Sequence, residues 1–339
     1  MRYGSEYLRE LVQRAAMTAG ASADVATSLA DAVISAEWAG KRAVGLAHLV
    51  DYLDGFANGR IAARAQPEIT YPAPAAIRVD AKCGIAQLGF DCAFAVLVGC
   101  ARKYGIGTFA QCNSFTAGEL GYYTRRLAEA GLLALAVCNA PAQMTTIESR
   151  RAVFGTNPLS FAAPVENAEP FVIDQSSSAT AFVKLRQAAE GGGTIPQGWA
   201  IDAAGNPTTD AREAVKGLLL AFGGVRGANI AFMVEVLAAG LTGANWSMDA
   251  PPFSEGRQSP GIGLFIVAME PDILAPGFAA RLAVQIERLR VQGVVIPGSH
   301  SNATQLDVPA SLIEKIERGI LSPLDEPGTT RESRRSPIA

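Results

Sequence analysis

The chain has 339 residues, 49% of them hydrophobic and 18% charged, with a formal net charge of -3 and a pI near 5.6. A chain of this length buries a large core in one to three domains, and a slightly acidic balance without a dense basic run excludes a general attraction to nucleic acid or an anionic membrane, leaving small molecules as the expected partners. Five cysteines, none in a Cys-x-x-Cys pair, and two histidines far apart in sequence, His48 and His300, leave no ligand set for a metal and no redox pair; four of the cysteines read as small buried hydrophobes.

Met1 to Arg14 carries Glu6 and Glu10 and lacks the unbroken apolar core of a signal peptide, so a cytoplasmic protein is expected. Ser5 is placed to cap a first helix carrying Leu8, Leu11 and Val12. A second helix has Val25, Leu29 and Val33 at helical spacing. A third starts at Leu46, shows Leu49, Tyr52, Leu53 and Phe56 on one stripe, and stops at Asn58-Gly59. From Pro72 the texture changes to short apolar strands, at 77–79, 108–112, 133–138, 171–174 and 264–269, alternating with helices such as 89–104. The longest apolar stretch, 228–244, is broken by Asn229 and Glu235 and falls short of a membrane span, which predicts a buried helix with Glu235 as a structural partner. A helix over 278–290, a strand at 294–296 and a helix over 312–319 close the ordered part, and the Pro-, Ser-, Arg- and Glu-rich tail 322–339 reads as flexible. There is no internal repeat.

Gly105-Ile106-Gly107 fails as a dinucleotide fingerprint, because it lies before a strand and lacks the third glycine. Other runs are more telling. Asp174-Gln175-Ser176-Ser177-Ser178 ends a strand in a turn rich in hydroxyls and free N–H groups, suited to ribose and pyrophosphate oxygens or, alternatively, to capping the next helix. Gly223-Gly224-Val225-Arg226-Gly227 opens the helix that runs through Glu235, so a helix N-terminus and a guanidinium face the same anion. With Gly155-Thr156-Asn157-Pro158 and the turn-built loop 195–210 (Ile-Pro-Gln-Gly-Trp-Ala-Ile-Asp-Ala-Ala-Gly-Asn-Pro-Thr-Thr-Asp), in order and at the right spacing, these runs resemble the malate/L-lactate dehydrogenase family of NAD(P)-dependent oxidoreductases, from about Leu8 to about Ile320.

The resemblance implies an α/β, non-Rossmann dinucleotide-binding fold around a mainly antiparallel sheet, with an N- and C-terminal helical domain. It implies a division into 1–76, a helical part for substrate and dimer contacts; 77–270, a dinucleotide-binding core; and 271–321, packing back on the N-terminal unit. It also implies NAD(P)H, a small carboxylate substrate, and a homodimer whose active site lies at the interface, with apolar faces of the N-terminal helices in contact. The residues it places on the cofactor are Thr156, Asn157, Asp174, Ser176, Ser178, Gly224, Arg226, Gly298, Ser299 and His300. Arg226 stands where the family usually has lysine and keeps the charge. Ser299 replaces the acid of a Pro-Gly-Glu turn.

The departures bear on mechanism. Family members typically read Ser-His-Gly-Val-Ala-Arg-Leu-x-x-Tyr at the third helix, with the histidine donating a proton to substrate; residues 43–52 here read Ala-Val-Gly-Leu-Ala-His-Leu-Val-Asp-Tyr. A second motif, Asn-Ser-x-His-x-Gly, appears as Asn113-Ser114-Phe115-Thr116-Ala117-Gly118. Both histidines are gone, at Val44 and Thr116. A ketone taking up hydride needs a positioned acid, worth about 10²–10⁴ in rate, whereas a cyclic ketimine arrives as an iminium and does not. The segments 245–247 and 259–267 resemble the Δ1-piperideine-2-carboxylate/Δ1-pyrroline-2-carboxylate reductase branch, although that branch keeps its histidine. The catalytic candidates are His48, as a proton-handling group or carboxylate anchor one turn from Val44; Tyr52, as a hydroxyl donor or a core aromatic; and Thr116. The expected function is NAD(P)H-dependent reduction of a small cyclic imino acid. The alternatives are a 2-oxoacid/2-hydroxyacid dehydrogenase and a non-catalytic dinucleotide-binding relative.

Overall fold

The protein is described by a computed structural model over residues 1–146, 148–298 and 303–321; Ser299, His300 and the tail 322–339 lie outside the described residues. β1 (Arg2–Gly4) runs into α1 (Ser5–Thr18), followed by α2 (Ala23–Trp38), a 3-10 turn at Arg42–Val44, and α3 (Leu46–Ala57). Ser22 caps α2, its Oγ accepting from the Val25 N–H at 3.4 Å. Ser5 does not cap α1: it lies inside the first turn, and Gly4 takes the N-cap position with no side-chain bond. The helices exist because of their apolar stripes. Leu8, Leu11 and Val12 of α1 meet Val25, Leu29 and Val33 of α2 and Leu46 and Leu49 of α3 in one buried cluster.

The chain then builds β2 (Glu68–Ala73), β3 (Ala76–Asp80), α4 (Ala86–Tyr104), β4 (Ile106–Ser114), α5 (Gly121–Glu129), β5 (Leu133–Cys138), β6 (Met144–Thr145), β7 (Leu159–Ala163) and β8 (Phe171–Gln175). After these come α6 (Phe182–Glu190), β9 (Ala200–Ile201), β10 (Pro207–Thr208), α7 (Ala211–Lys216), β11 (Leu218–Leu220) and α8 (Val225–Glu235), which continues as a π segment over Val236–Gly240. β12 (Ile262–Met269), α9 (Phe278–Val291), β13 (Gln305–Asp307) and α10 (Ala310–Leu321) complete the described chain.

Seven strands form one sheet in the order β2-β3-β4-β12-β5-β7-β8. The β3–β4 pair is parallel and every other neighbouring pair is antiparallel, which is the mainly antiparallel, non-Rossmann α/β sheet expected. Alternation along β12 divides the packing between the two faces. Leu264, Ile266 and Ala268 join the core under α4 and α5, while Phe265 joins Val137 against Val234 and Ala238 of α8 and the π segment. A smaller sheet, β10-β9-β11-β6, carries the turn-rich 195–210 loop. The chain ends meet: β1 pairs antiparallel with β13, and Leu306, Val308, Ile313 and Ile316 complete the cluster of the N-terminal helices.

Besides the Ser5 cap, four sequence expectations need correction. No strand forms at 294–296: Gly293, at φ +81°, ends α9, Val294 and Val295 stand exposed, and the edge pairing is made instead by β13. The apolar stretch at 228–244 is not a buried helix, since it lies on the sheet by one face and exposes Phe232, Met233, Val236 and Leu241 on the other. Only Cys112 and Cys138 are buried, Cys83 and Cys92 being exposed on turn and helix surfaces. Val44 is not on the helix that carries His48. Gly45 interrupts the backbone there, because the Glu37 carboxylate occupies the space a Cβ would need and accepts the first N–H of α3, from Leu46, at 2.8 Å. Among the described residues no helix is long and apolar enough to cross a membrane, and no His, Cys, Asp and Glu cluster could hold a metal ion.

Candidate active site

α3 turns His48 and Tyr52, four residues apart, onto one face. Their rings meet edge to face with centroids 4.9 Å apart. The loop leaving β4 brings Thr116 to both: Thr116 Oγ1 lies 3.2 Å from His48 Nε2 and 2.7 Å from Tyr52 Oη. Asp51 Oδ2 lies 2.7 Å from His48 Nδ1, and Gln87 Nε2 donates to Tyr52 Oη at 3.2 Å. The three candidates thus sit in one hydrogen-bonded chain, Asp51, His48, Thr116, Tyr52, Gln87. Phe115 and Phe253 wall it, the latter with its centroid 5.5 Å from His48. Tyr52 is buried, and burial pushes its phenol up to about 12 against the opposing pull of the Thr116 and Gln87 hydrogen bonds, so it stays protonated across the physiological range. Gln87 Oε1 is buried beside it without a hydrogen-bond partner.

Five residues beyond Thr116, the same loop reaches Asp174. The Gly121 N–H donates to Asp174 Oδ2 at 3.1 Å, and Lys41 Nζ donates to the Asp174 carbonyl at 2.7 Å. Burial raises the Asp174 carboxyl, with Lys41 opposing. Behind it Glu119 is buried against Arg125 Nη1 at 3.6 Å and accepts from Ser35 Oγ at 3.2 Å. Burial lifts Glu119 to about 7, a shift Arg125 counters and Asp174 reinforces.

The loops singled out for a dinucleotide converge on the same strand end. Ser177 Oγ donates to the Asn157 carbonyl at 2.7 Å, the Phe222 N–H donates to the Ser177 carbonyl at 3.0 Å, and Ser178 bridges to Ala221. The Thr156–Asn157 turn, the 176–178 run and the 221–222 segment are therefore neighbours in space, and Gly224 and Arg226 follow Phe222 by two and four residues. Ser178 turns inward, donating to the Thr180 carbonyl at 2.7 Å and lying 2.9 Å from Ser176 Oγ, so the serine run does not cap α6, whose N-cap is Ala181. Gly298, at φ +97°, closes against the backbone of Val172 on β8; Ser299 and His300 fall outside the described residues. Asn157, buried at φ +38°, donates to Glu235 Oε2 at 2.6 Å, and Ser247 N and Oγ donate to the same carboxylate at 2.6 and 2.7 Å. Glu235 is thus a buried tie, each charged hydrogen bond of this type being worth about 1.5–3 kcal/mol.

The donor set suits a phosphate- and ribose-bearing ligand. Gly223 and Gly224, at φ +57° and +63°, open α8 with nothing within 4 Å of where a Cβ would stand. Arg226 in the first turn is exposed and makes no ion pair among the described residues. Asn157 Oδ1 and Thr180 Oγ1 are buried there without partners. Sequence reasoning missed Asp51, Gln87, Lys41, Glu119 and Phe253. Asp51 had a signal, its i+3 spacing from His48; the others are joined to the site only by tertiary packing.

Fold and site define an α/β protein outside the Rossmann class, built on a mainly antiparallel sheet with helices from both chain ends. The family model for malate/L-lactate dehydrogenase matches residues 4–310, and the chain belongs to that family. It is 34% identical to a (2R)-3-sulfolactate dehydrogenase (NADP(+)) of Chromohalobacter salexigens, over 85% of this chain and 88% of that protein. It is 35% identical to a Delta(1)-pyrroline-2-carboxylate/Delta(1)-piperideine-2-carboxylate reductase of Pseudomonas putida, over 86% of each. The crystal structure of a delta1-piperideine-2-carboxylate reductase from Pseudomonas syringae pv. tomato superposes with a TM-score of 0.88 at 32% identity, covering 94% of this chain and 99% of that one.

Because Glu119 titrates near 7 when folded and near 4.5 when unfolded, the native state binds the extra proton between those values. Its contribution is fully present below the unfolded pKa and lost as pH rises through about 7. Stability of the wild type should therefore fall across this window, on the order of 3 kcal/mol if fully expressed. Urea unfolding of Glu119→Gln at a series of pH values should give a flatter profile than the wild type; parallel profiles would refute the assignment.

Proposed function

We propose that this protein is an NAD(P)H-dependent reductase of a small cyclic imino acid, converting a C=N bond to CH–NH. The observation that carries this reading is the pairing of an anion-ready set of loops with Val44 and Thr116 where the family has histidines, the first of them its proton donor. Likeness to the pyrroline- and piperideine-2-carboxylate reductases supports it. A bound NAD(P)H supplies hydride. The chain contributes the rest: Arg226 and the open turn at Gly223-Gly224 receive phosphate, the Thr156–Asn157 and 174–178 turns and Gly298 border the nucleotide, and Lys41 braces the Asp174 strand end. Ser299 and His300 are proposed to extend this border. His48, Tyr52 and Thr116 face the substrate, and the aromatic walls exclude water from an iminium that takes hydride without an added acid.

The second reading, a 2-oxoacid/2-hydroxyacid dehydrogenase, is favoured by the likeness to sulfolactate dehydrogenase and by the His48–Asp51 pair. We also propose a homodimer with the active site at the interface. The exposed apolar side of α8 and the following loop, with Phe232, Met233, Val236, Trp246 and Met248, offers a face for it. The N-terminal helices expose only scattered apolar residues, Tyr7 and Met17 among them.

Assayed with NADH and NADPH against pyruvate, oxaloacetate and the five- and six-membered cyclic imino acids, the protein should reduce an imino acid fastest, at a rate that drops at high pH as the iminium deprotonates. Faster turnover of a 2-oxo acid would make the dehydrogenase reading primary, and cofactor binding without turnover would favour a non-catalytic relative. Arg226→Ala should weaken cofactor binding by roughly 1.5–3 kcal/mol, read by calorimetry; an unchanged Kd removes Arg226 from the site. Light scattering at micromolar concentration should give the dimer mass, and a monomer mass would refute the assembly.

A further inference from the structure

His48 has two partners of opposite character, and together they choose between its possible roles. An ionised carboxylate only accepts, so the proton in the 2.7 Å contact between Nδ1 and Asp51 sits on the ring. Nε2 faces Thr116 Oγ1 at 3.2 Å, and that hydroxyl runs on to Tyr52. A substrate carboxylate approaching His48 would find any positive charge already countered by Asp51 and both ring nitrogens engaged, which makes the imidazole a poor anion anchor. The ring is also fixed in plane, 11% exposed and held edge-on by Tyr52 and Phe253. Thr116 is only half-buried and stands at the head of the loop that reaches Asp174, the strand end bordered by the anion-facing turns. Tyr52, kept a phenol by burial, closes the other end of the chain and takes no proton away from it.

We infer that Asp51, His48 and Thr116 form a proton relay in place of the family histidines, with Thr116 Oγ1 handing the proton to substrate and Asp51 positioning His48. This rests on the reductase reading and names the groups by which the same site would serve the open 2-oxo acids of the second reading. The carbonyl carbon gains a hydride from the reduced nicotinamide dinucleotide, and the C=O π pair moves onto oxygen. That oxygen takes the Thr116 hydroxyl proton as the O–H bond breaks. His48 restores it from Nε2–H, keeps its Nδ1–H on Asp51, and is reprotonated from solvent. The products are the 2-hydroxy acid and the oxidised dinucleotide. An iminium needs none of these proton transfers, so the relay separates the two substrate classes within one site.

The test compares wild type, Asp51→Asn, Asp51→Glu and Thr116→Val, all full length, on pyruvate and on the six-membered cyclic imino acid with whichever cofactor is accepted. Expected is a fall in kcat at least about tenfold larger for pyruvate than for the imino acid in Asp51→Asn and Thr116→Val, within the range general acids supply, with partial recovery in Asp51→Glu and little change in KM. A solvent deuterium effect of about twofold should accompany pyruvate only, as expected where a proton moves in the transition state. Two readouts do not depend on turnover. With only two histidines in the chain, the His48 Nδ1–H signal is assignable by NMR and should vanish in Asp51→Asn, while the Kd for the saturated cyclic amino acid should hold within about threefold, as it must if His48 makes no anchoring contact. Equal losses on both substrates, a KM or Kd rise of about tenfold with kcat intact, or a wild type active on the imino acid but inert on pyruvate would each overturn the relay. A wild type inert on both would overturn the reductase reading itself.

Discussion

The loop that leaves β4 is held at nearly every residue, and both halves of the site hang from it. Asn113 turns into the left-handed region at φ +57°, steadied by a 3.0 Å bond to Asp80, and Ser114 Oγ accepts from Gln111 at 2.8 Å. The Phe115 N–H then donates to Gly84, and the Ala117 carbonyl accepts from Gln87 at 3.2 Å and Tyr123 at 2.8 Å. Buried backbone groups left unpaired are costly, so these partners leave the loop one conformation. Thr116 is presented to His48 on one side of that anchor, and Gly121 to Asp174 on the other. At the position of the second motif's histidine, a fixed hydroxyl stands.

Glu235 plays the matching part behind the loops proposed for the dinucleotide. A carboxylate in an apolar helix would be expensive alone, and it is tolerated because Asn157 and Ser247 both donate to it. The same bonds join the Thr156–Asn157 turn to the 245–261 loop that carries Phe253 to His48. A residue whose chemistry looks catalytic in a list of carboxylates is therefore the tie between two loops, as its place mid-helix suggested.

Much of the architecture was legible. Helical periodicity located α1 to α4, because each buries an apolar stripe in the core, and turn chemistry located the 155–158, 174–178 and 223–227 runs. What stayed hidden has a physical reason in each case. β2 is exposed along nearly its whole length and so shows no alternation. β6, β9 and β10 are two residues each, too short for any period. Valines at 294–295 look like strand but have no edge beside them. Within the site, the pairing of His48 with Asp51 is local and could be read, whereas its bond to Thr116 crosses 68 positions. Lys41 and the Glu119–Arg125 pair reach the site only through the packing of α2 against α5.

The π segment after α8 has a mechanical meaning. β12 passes so close that any side chain at Gly263 would overlap the Ala238 carbonyl, and Asn139 Oδ1 accepts the Gly263 N–H at 2.9 Å. One residue earlier Ile262 pairs with Ser114, two positions before Thr116, while the helix jammed against Gly263 begins at Val225 and carries Arg226 in its first turn. The helix cannot slide along its axis without dragging the strand that fixes Thr116. The anion-facing end and the His48 end of the site consequently belong to one rigid frame, with their spacing preserved as the molecule fluctuates.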